Sequence, residues 1–264
     1  MTIIRTDRPP EVPSTQVSHK PALLLSEEHH LCPGCGHPVA WRILLEVLSE
    51  LKLEKRAIGV VGHGCYTMAA TLSDIEWLQC LHGRAPAVAT GVKRVQPQAA
   101  VFTLQGDGDC ATEGLHEIIH AASRGEALTC IMLNNGVFGD TGGQMTSTTV
   151  VGQRTKTSLD GRDPALHGHP VPLADILSIL PGTAYVARGA VNNAGSVAQT
   201  KRYLTQAFEA QLAGGFAFVE ILTMCPTGWF VETSDAPDYL ANNLGTVHRA
   251  GVLKDVRADQ AADS

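Results

Sequence analysis

Between residues 38 and 53 the apolar side chains Val39, Ile43, Leu44, Val47, Leu48 and Leu51 recur at helical spacing and predict an amphipathic helix. The period then changes. Residues 57–61 form a short apolar run that ends in Gly62-His63-Gly64, which reads as a buried strand entering a glycine turn. Residues 99–104 and 128–133 have the same continuous apolar character, as strands of a parallel sheet do. Between them, Ala111, Leu115, Ile118, Ile119 and Ala122 give residues 110–123 a helical period, completing a β-α-β unit. A strand at 184–187, a helix over about 196–213 and a strand at 216–222 supply another. This alternation predicts an α/β fold: a doubly wound, mostly parallel sheet in three layers.

The flanks differ from this core. Residues 1–25 are rich in proline and polar side chains and are expected to form an extended N-terminal arm. Residues 26–225 read as one α/β domain. Residues 226–264 lack a clear core pattern and are expected to form an extension that wraps the domain or reaches a neighbour. Within the domain, residues 136–169 are dense in glycine, threonine and polar side chains, and a loop of that length is functional or disordered. Its glycines at 136, 139, 142 and 143 allow the backbone to approach a ligand closely.

Composition narrows the classes. The 264 residues suffice for one large domain or two small ones. Twenty basic residues against twenty-six acidic ones leave a formal charge of −6 with no Lys/Arg cluster, which argues against a nucleic-acid partner. No apolar run approaches the ~18 residues of a membrane span. The first residues do not read as a secretory signal, so a cytoplasmic protein is expected. Seven cysteines, an odd number, argue against a disulfide framework.

Two constellations carry chemistry. Gly106-Asp107-Gly108 closes one predicted strand and Asn134-Asn135 closes the next, so both lie at the carboxyl edge of the sheet, where ligands bind. An aspartate and an asparagine oxygen suit Mg²⁺ shared with phosphate oxygens, and the helix beginning near Cys110 aims its N-terminus at the same place. A plain strand–turn is the bland alternative. A nucleotide site of the P-loop or dinucleotide type lacks its glycine motif here. The pair of motifs resembles the thiamine diphosphate signature. That resemblance implies that Asp107, the Asn135 side chain and the Val137 carbonyl hold the metal, with Asn134 a structural partner. The second constellation is Cys32-Pro-Gly-Cys35 before a helix, Cys65 after a strand and Cys225 after the last strand. Four thiolates from loops on one edge suit Zn²⁺ or an iron–sulfur cluster. The C-x-x-C alone equally fits a redox pair. A structural zinc site would use a second compact pair, which is missing, and dispersed ligands beside a cofactor site favour iron–sulfur. Cys80, Cys110 and Cys130 lie in or beside apolar segments and are expected to be buried packing residues.

Together, C-P-G-C-G-H at 32–37, H-G-R-A-P-A-V-A-T-G-V-K-R at 82–94, G-D-G-D at 106–109, T-G-G-Q-M at 141–145 and C-P-T at 225–227 resemble the β subunit of the 2-oxoacid:ferredoxin oxidoreductases. The likeness runs over residues 30–255 and is nearest the 2-oxoisovalerate/2-oxoglutarate branch. It implies a thiamine diphosphate-binding fold and coenzyme A-dependent oxidative decarboxylation of a 2-oxoacid, with electrons passing through a [4Fe–4S] cluster to ferredoxin or a similar acceptor. On matching positions, Cys32, Cys35, Cys65 and Cys225 hold the cluster. His82, Gly83, Arg84, Gly106, Asp107, Gly108, Asp109, Asn135, Val137, Gly139 and Thr141 surround thiamine diphosphate and Mg²⁺. For His82 and Arg84 the bland alternative is a surface ion pair.

The resemblance also implies an α subunit that carries the pyrimidine-binding domain and its glutamate, with γ/δ or ferredoxin-like subunits as further partners. No acid or base is therefore assigned in this chain, and Glu113 and Glu117 are expected to face solvent or cap a helix. The sequence departs from the family at Asp140, where relatives carry Met, Leu or Asn, and at Met68, often polar or basic. Both are assigned to the substrate pocket, and an apolar Met68 favours a larger, less polar 2-oxoacid. His63 is placed either against a cluster sulfur or in solvent. The competing readings are a non-redox thiamine diphosphate-dependent decarboxylase or synthase subunit, and a zinc-stapled binding module.

Overall fold

A computed structural model describes residues 19–26 and 28–257. In chain order the main elements are α1 (His37–Glu50), β1 (Ala57–Val61), β2 (Glu76–Gln79), α2 (Ala85–Val95), β3 (Ala100–Gly106), α3 (Leu115–Ser123), β4 (Thr129–Asn134), β5 (Thr183–Ala190), α4 (Ala194–Leu212), β6 (Phe216–Leu222) and β7 (Gly251–Asp255). The seven strands form one sheet in the order β2-β1-β3-β4-β6-β5-β7. All neighbours are parallel except β7, which runs antiparallel to β5.

The sheet is buried on both faces, and the two-residue period decides which side chain goes where. Phe102, Leu104, Ile131 and Leu133 point toward α1 and α4. Val101, Cys130 and Met132 point the other way, toward α2, α3 and the short helix Leu173–Ser178. Each fully buried Phe or Leu contributes about 1.5–3 kcal/mol, so the central strands anchor everything mounted on them. Local signals start the helices. Pro38 and Pro86 occupy the first turns of α1 and α2. The Asn193 side chain accepts the Ser196 N–H at the start of α4.

Register brings the ligand-bearing loops together. Val61 pairs with Gln79 and Leu104, Gly106 with Leu133, and Asn134 with Leu222. Strands β1, β2, β3, β4 and β6 therefore end level, and their outgoing turns share one edge.

One expectation is corrected. The helix predicted at 110–123 is broken into a π-helical turn, Gly108–Glu113, followed by α3. The 82–84 turn presses on the junction: a Cβ on Gly114 would lie 2.6 Å from the Gly83 carbonyl oxygen and 2.7 Å from that of Asp109. A π turn inserts the extra residue this crossing requires. Residues 226–257 pack back onto the domain. Trp229, Leu240 and Leu244 are buried in the core, and β7 closes one edge of the sheet. Strands β2 and β7 escape the hydrophobic pattern because both are edge strands, largely or partly exposed. Of the predicted arm, residues 1–18 lie outside the described residues. Its end is tied down: Leu23 is buried and Leu25 N–H donates to the Leu72 carbonyl at 2.8 Å. Among the described residues no helix is long and apolar enough to cross a membrane.

Candidate functional site

A cavity of about 630 Å³ opens at the shared carboxyl edge. At its floor stands Asp107, one residue beyond β3 and 1% exposed. Its Oδ2 accepts hydrogen bonds from the Thr146 and Thr148 hydroxyls, both at 2.6 Å. Its Oδ1 accepts a longer one from the Asn135 N–H at 3.4 Å. Burial pushes the carboxyl up to about 6, against the pull of these donors. An anionic oxygen held in place yet poorly solvated is suited to a hard cation. Asn135 follows β4. Its Oδ1 accepts the Val137 N–H at 3.1 Å, and its carbonyl accepts the Trp229 Nε1–H at 2.7 Å. Asp107, Asn135 and Val137 all line the cavity, and this oxygen-rich group fits Mg²⁺.

Deeper polar residues hold this floor. Asn134 Nδ2 donates to Glu220 at 2.7 Å, and its Oδ1 accepts the Gly136 N–H at 3.0 Å. Gly136 itself sits at φ +67°, where glycine is favoured. Glu220 is in turn paired with Arg188 at 2.6 Å, and both are buried. His248 Nε2 donates to the Thr148 carbonyl at 3.1 Å. The loop that delivers Thr146 and Thr148 is fixed by Arg162, buried and bonded to six carbonyl oxygens, those of Thr146, Ser147, Thr149, His167, Gly168 and His169. Apart from Asn134, none of these supports is a motif residue. The only sequence signal for the threonines is the polar run 146–149 directly after T-G-G-Q-M.

A second wall comes from the 82–84 turn. His82 donates from Nδ1 to Glu113 at 2.8 Å, and its ring leans on Phe138 with 5.9 Å between centroids. Asp109 accepts from the Gly83 N–H and the Tyr66 hydroxyl. Tyr66, which motif reading missed, lies over two glycines: a Cβ on Gly64 or Gly106 would be 2.6 or 3.1 Å from its ring. It thus braces the Cys65 turn against the Gly106–Asp109 turn. Arg84 faces away from the cavity, paired with Glu117, whose second oxygen is 2.9 Å from His116 Nε2. Glu117 is therefore not a solvent-facing group, its side chain being only 9% exposed. Glu113 is half-exposed, yet it borders the cavity through His82.

The four cysteines converge beside this floor. Cys35 N–H donates to the Cys32 carbonyl at 3.1 Å, closing the C-x-x-C turn. A Cβ on Gly139 would stand 3.7 Å from Cys65 Sγ and 3.6 Å from Cys225 Sγ, ordinary contact distances that set both sulfurs beside this one position. Burial, then neighbouring charge, pushes the Cys65 and Cys225 thiols up to about 12 and that of Cys35 to about 11. The charges include the other cysteines of the set, which places all four within electrostatic reach of one another. All are free thiols, and Cys32 is exposed. Among the described residues no three His, Cys, Asp or Glu side chains gather closely enough to hold a single metal ion. A cubane cluster asks for something else, since each thiolate binds a different iron at its own corner. Four separate soft donors around one space fit that need.

The remaining expected residues divide. Gly139, Asp140 and Thr141 line the cavity, and Asp140 Oδ1 is 3.8 Å from Cys65 Sγ. Met68 does not line it; the side chain is half-buried against the core behind the Cys65 turn. Cys80 is not a buried packing residue either: it is half-buried, donates to the Val61 carbonyl at 3.3 Å and borders the cavity. Cys110 and Cys130 are buried. His63 is exposed and pairs with Gln79 at 3.3 Å. His37, at the start of α1, lines the cavity with both ring nitrogens buried and unpartnered.

Comparison with known proteins follows this geometry. Residues 62–221 match the thiamine pyrophosphate enzyme family, C-terminal TPP binding domain. The chain is 39% identical over 216 residues to ketoisovalerate oxidoreductase subunit VorA of Methanothermobacter thermautotrophicus, an alignment covering 81% of this chain and 45% of that one. It thus spans less than half the length of that relative. It is 34% identical over 214 residues to 2-oxoglutarate synthase subunit KorB of Archaeoglobus fulgidus, covering 81% of this chain and 76% of that one. Among solved structures, 2-oxoglutarate:ferredoxin oxidoreductase from Magnetococcus marinus, with 2-oxoglutarate, coenzyme A and succinyl-CoA bound, superposes with a TM-score of 0.75. That match has 25% identity and covers 90% of this chain and 86% of the other.

Proposed function

Because the chain belongs to the β subunits of the 2-oxoacid:ferredoxin oxidoreductases, on the 2-oxoisovalerate/2-oxoglutarate branch, we propose that it binds thiamine diphosphate with Mg²⁺ and a [4Fe–4S] cluster. It would do so for the oxidative decarboxylation of a 2-oxoacid. In balance, the 2-oxoacid and coenzyme A give an acyl-CoA, carbon dioxide and a proton, and a pair of electrons leaves singly for ferredoxin or a similar acceptor. The observation that carries this reading is one cavity lined by Asp107, Asn135 and Cys65, with the Cys225 sulfur next to its Gly139 wall.

When bound, thiamine diphosphate supplies the nucleophilic carbon and the sink for the charge left by carbon dioxide, and the cluster accepts electrons one at a time. The residues of this chain hold and orient. Asp107, Asn135 and the Val137 carbonyl offer oxygens to Mg²⁺, while Thr146 and Thr148 fix the carboxylate that faces it. His82 has its Nδ1 occupied by Glu113, which fixes the ring beside the diphosphate floor. Arg84 is engaged by Glu117, leaving His82 as the anion-facing member of that turn. Asp140 sets a carboxylate on the cavity wall. A second carboxylate on the substrate is repelled there, which favours a branched or aliphatic monocarboxylic 2-oxoacid over 2-oxoglutarate. The aminopyrimidine glutamate is left to an α subunit, so the chain alone is inactive.

The test uses the complex purified without oxygen together with its natural partner chain. Iron, sulfide and thiamine diphosphate are quantified, and the iron–sulfur absorption band is followed while coenzyme A and a panel of 2-oxoacids are added. Bleaching by one acid supports the reading and names the substrate class. Thiamine diphosphate without iron after anaerobic work would instead favour a non-redox thiamine enzyme, which leaves the four cysteines without a role.

A further inference from the structure

We propose that His248 is a positioning residue for the diphosphate and metal floor, so that the C-terminal segment 244–255 and the bound cofactor hold each other in place; this rests on the cofactor reading above. His248 is 1% exposed. Its Nε2 donates to the Thr148 carbonyl at 3.1 Å, and its Nδ1 lies 3.7 Å from Glu220 Oε1. Both contacts lead to the floor. The Thr148 hydroxyl donates to Asp107 at 2.6 Å. The same Glu220 oxygen accepts from Asn134 Nδ2 at 2.7 Å, next to Asn135. One imidazole therefore joins both segments that meet at Asp107: the 146–149 loop directly, and the Asn134-Asn135 turn through Glu220.

The chemistry of this junction argues against simple core filling. Strand β6 is buried along its whole length and apolar at every position except Glu220. Taking a carboxylate and an imidazole out of water is costly, and apolar residues of similar volume would pack there at less cost. Here the contacts of the pair run to the floor or back to the C-terminal segment. Glu220 is held by Arg188 at 2.6 Å, and Arg188 Nη1 donates to the carbonyl of Arg249, the residue after His248, at 3.1 Å. On the other side, the His248 N–H donates to the Leu244 carbonyl at 2.8 Å, and Leu244 is fully buried. The ring is thus fixed by its own segment and fixes the floor in turn. Linkage is reciprocal, so a cofactor that binds the ordered floor also tightens segment 244–255.

The experiment is done on the anaerobic complex with its partner chain, comparing wild type, His248→Gln and His248→Leu. After removal of bound cofactor, thiamine diphosphate with Mg²⁺ is titrated by calorimetry. Hydrogen exchange of residues 244–255 is then followed with and without it. A wild type that binds no thiamine diphosphate refutes the cofactor reading, and this proposal with it. In wild type, cofactor should slow exchange across the segment. His248→Leu should weaken cofactor affinity about tenfold, as expected for one buried hydrogen bond, and should abolish that slowing. His248→Gln keeps an N–H for the Thr148 carbonyl and should restore both. A merely structural role predicts a lower melting temperature with affinity unchanged in His248→Leu, and that result overturns the proposal. So does wild-type exchange at 244–255 that is indifferent to bound cofactor, a measurement that decides even if a variant fails to assemble.

Discussion

Replacing Arg162 by Met keeps a long stem and removes the guanidinium that gathers six carbonyl oxygens of residues 146–169. The bonds are 2.8–3.2 Å long, and those to the Thr146 and Thr149 carbonyls are fully buried. Water reaches the other four at modest cost. The two buried carbonyls lose their partner outright, at roughly 1–3 kcal/mol each. The loop should therefore open more easily by about 2–6 kcal/mol, which is a factor of about thirty or more in the local equilibrium. Hydrogen exchange with peptide-level mass spectrometry measures this directly. Amides at 142–162 should lose at least about thirtyfold protection, while those of β3 and β4 keep theirs. Thiamine diphosphate affinity should fall with it, because the same loop carries Thr146 and Thr148 to Asp107. Loop protection unchanged to within threefold would refute the idea that one side chain organises the segment.

Thr148→Val preserves shape and deletes one donor to Asp107. Magnesium-dependent thiamine diphosphate affinity should weaken by about tenfold, near 1.4 kcal/mol, and calorimetry showing an unchanged Kd contradicts the assigned role. Burial raises the Asp107 carboxyl to about 6, so cofactor binding that needs the anion should weaken as pH falls through 6. Without cofactor the sign reverses. The folded chain prefers the protonated group, so this stabilisation is full below about 3.8 and is lost as pH rises through about 6. Melting curves should show both trends, and Asp107→Asn should remove them. Cys225→Ser should lower bound iron and replace the four-iron EPR signal; a full iron complement in that variant takes Cys225 out of the ligand set. Glu220→Leu strips Arg188 of its buried partner and should destabilise by about 3–5 kcal/mol, read as a lowered melting temperature.

Motif chemistry was legible in the sequence because it is local. Gly106-Asp107-Gly108 and Asn134-Asn135 close central strands whose apolar runs are hard to mistake, and the parallel register makes their ends coincide. The supports were not legible. Tyr66, Thr148, Arg162 and Glu220 act across 43, 41, up to 16 and 86 positions, respectively. No periodicity encodes such pairings. Arg84 and Met68 misled for the opposite reason: they sit in motif turns, but the turn aims one at Glu117 and the other into the core. Cys80 was misplaced because the edge strand preceding it carries too little apolar pattern to reveal where its end lies.

The two edges of the sheet have different fates. On one side, β7 turns antiparallel and seals β5. On the other, β2 is only four residues long and mostly exposed, and it leads directly into Leu81, which is 80% exposed beside the cavity. Among the described residues this edge has no further strand partner, and unpaired backbone next to apolar surface invites edge-on aggregation, blunted here by the brevity of the strand and by Glu76. Production of the chain by itself therefore carries a solubility burden localised to this border, and a charged residue in place of Leu81 is the smallest change that relieves it.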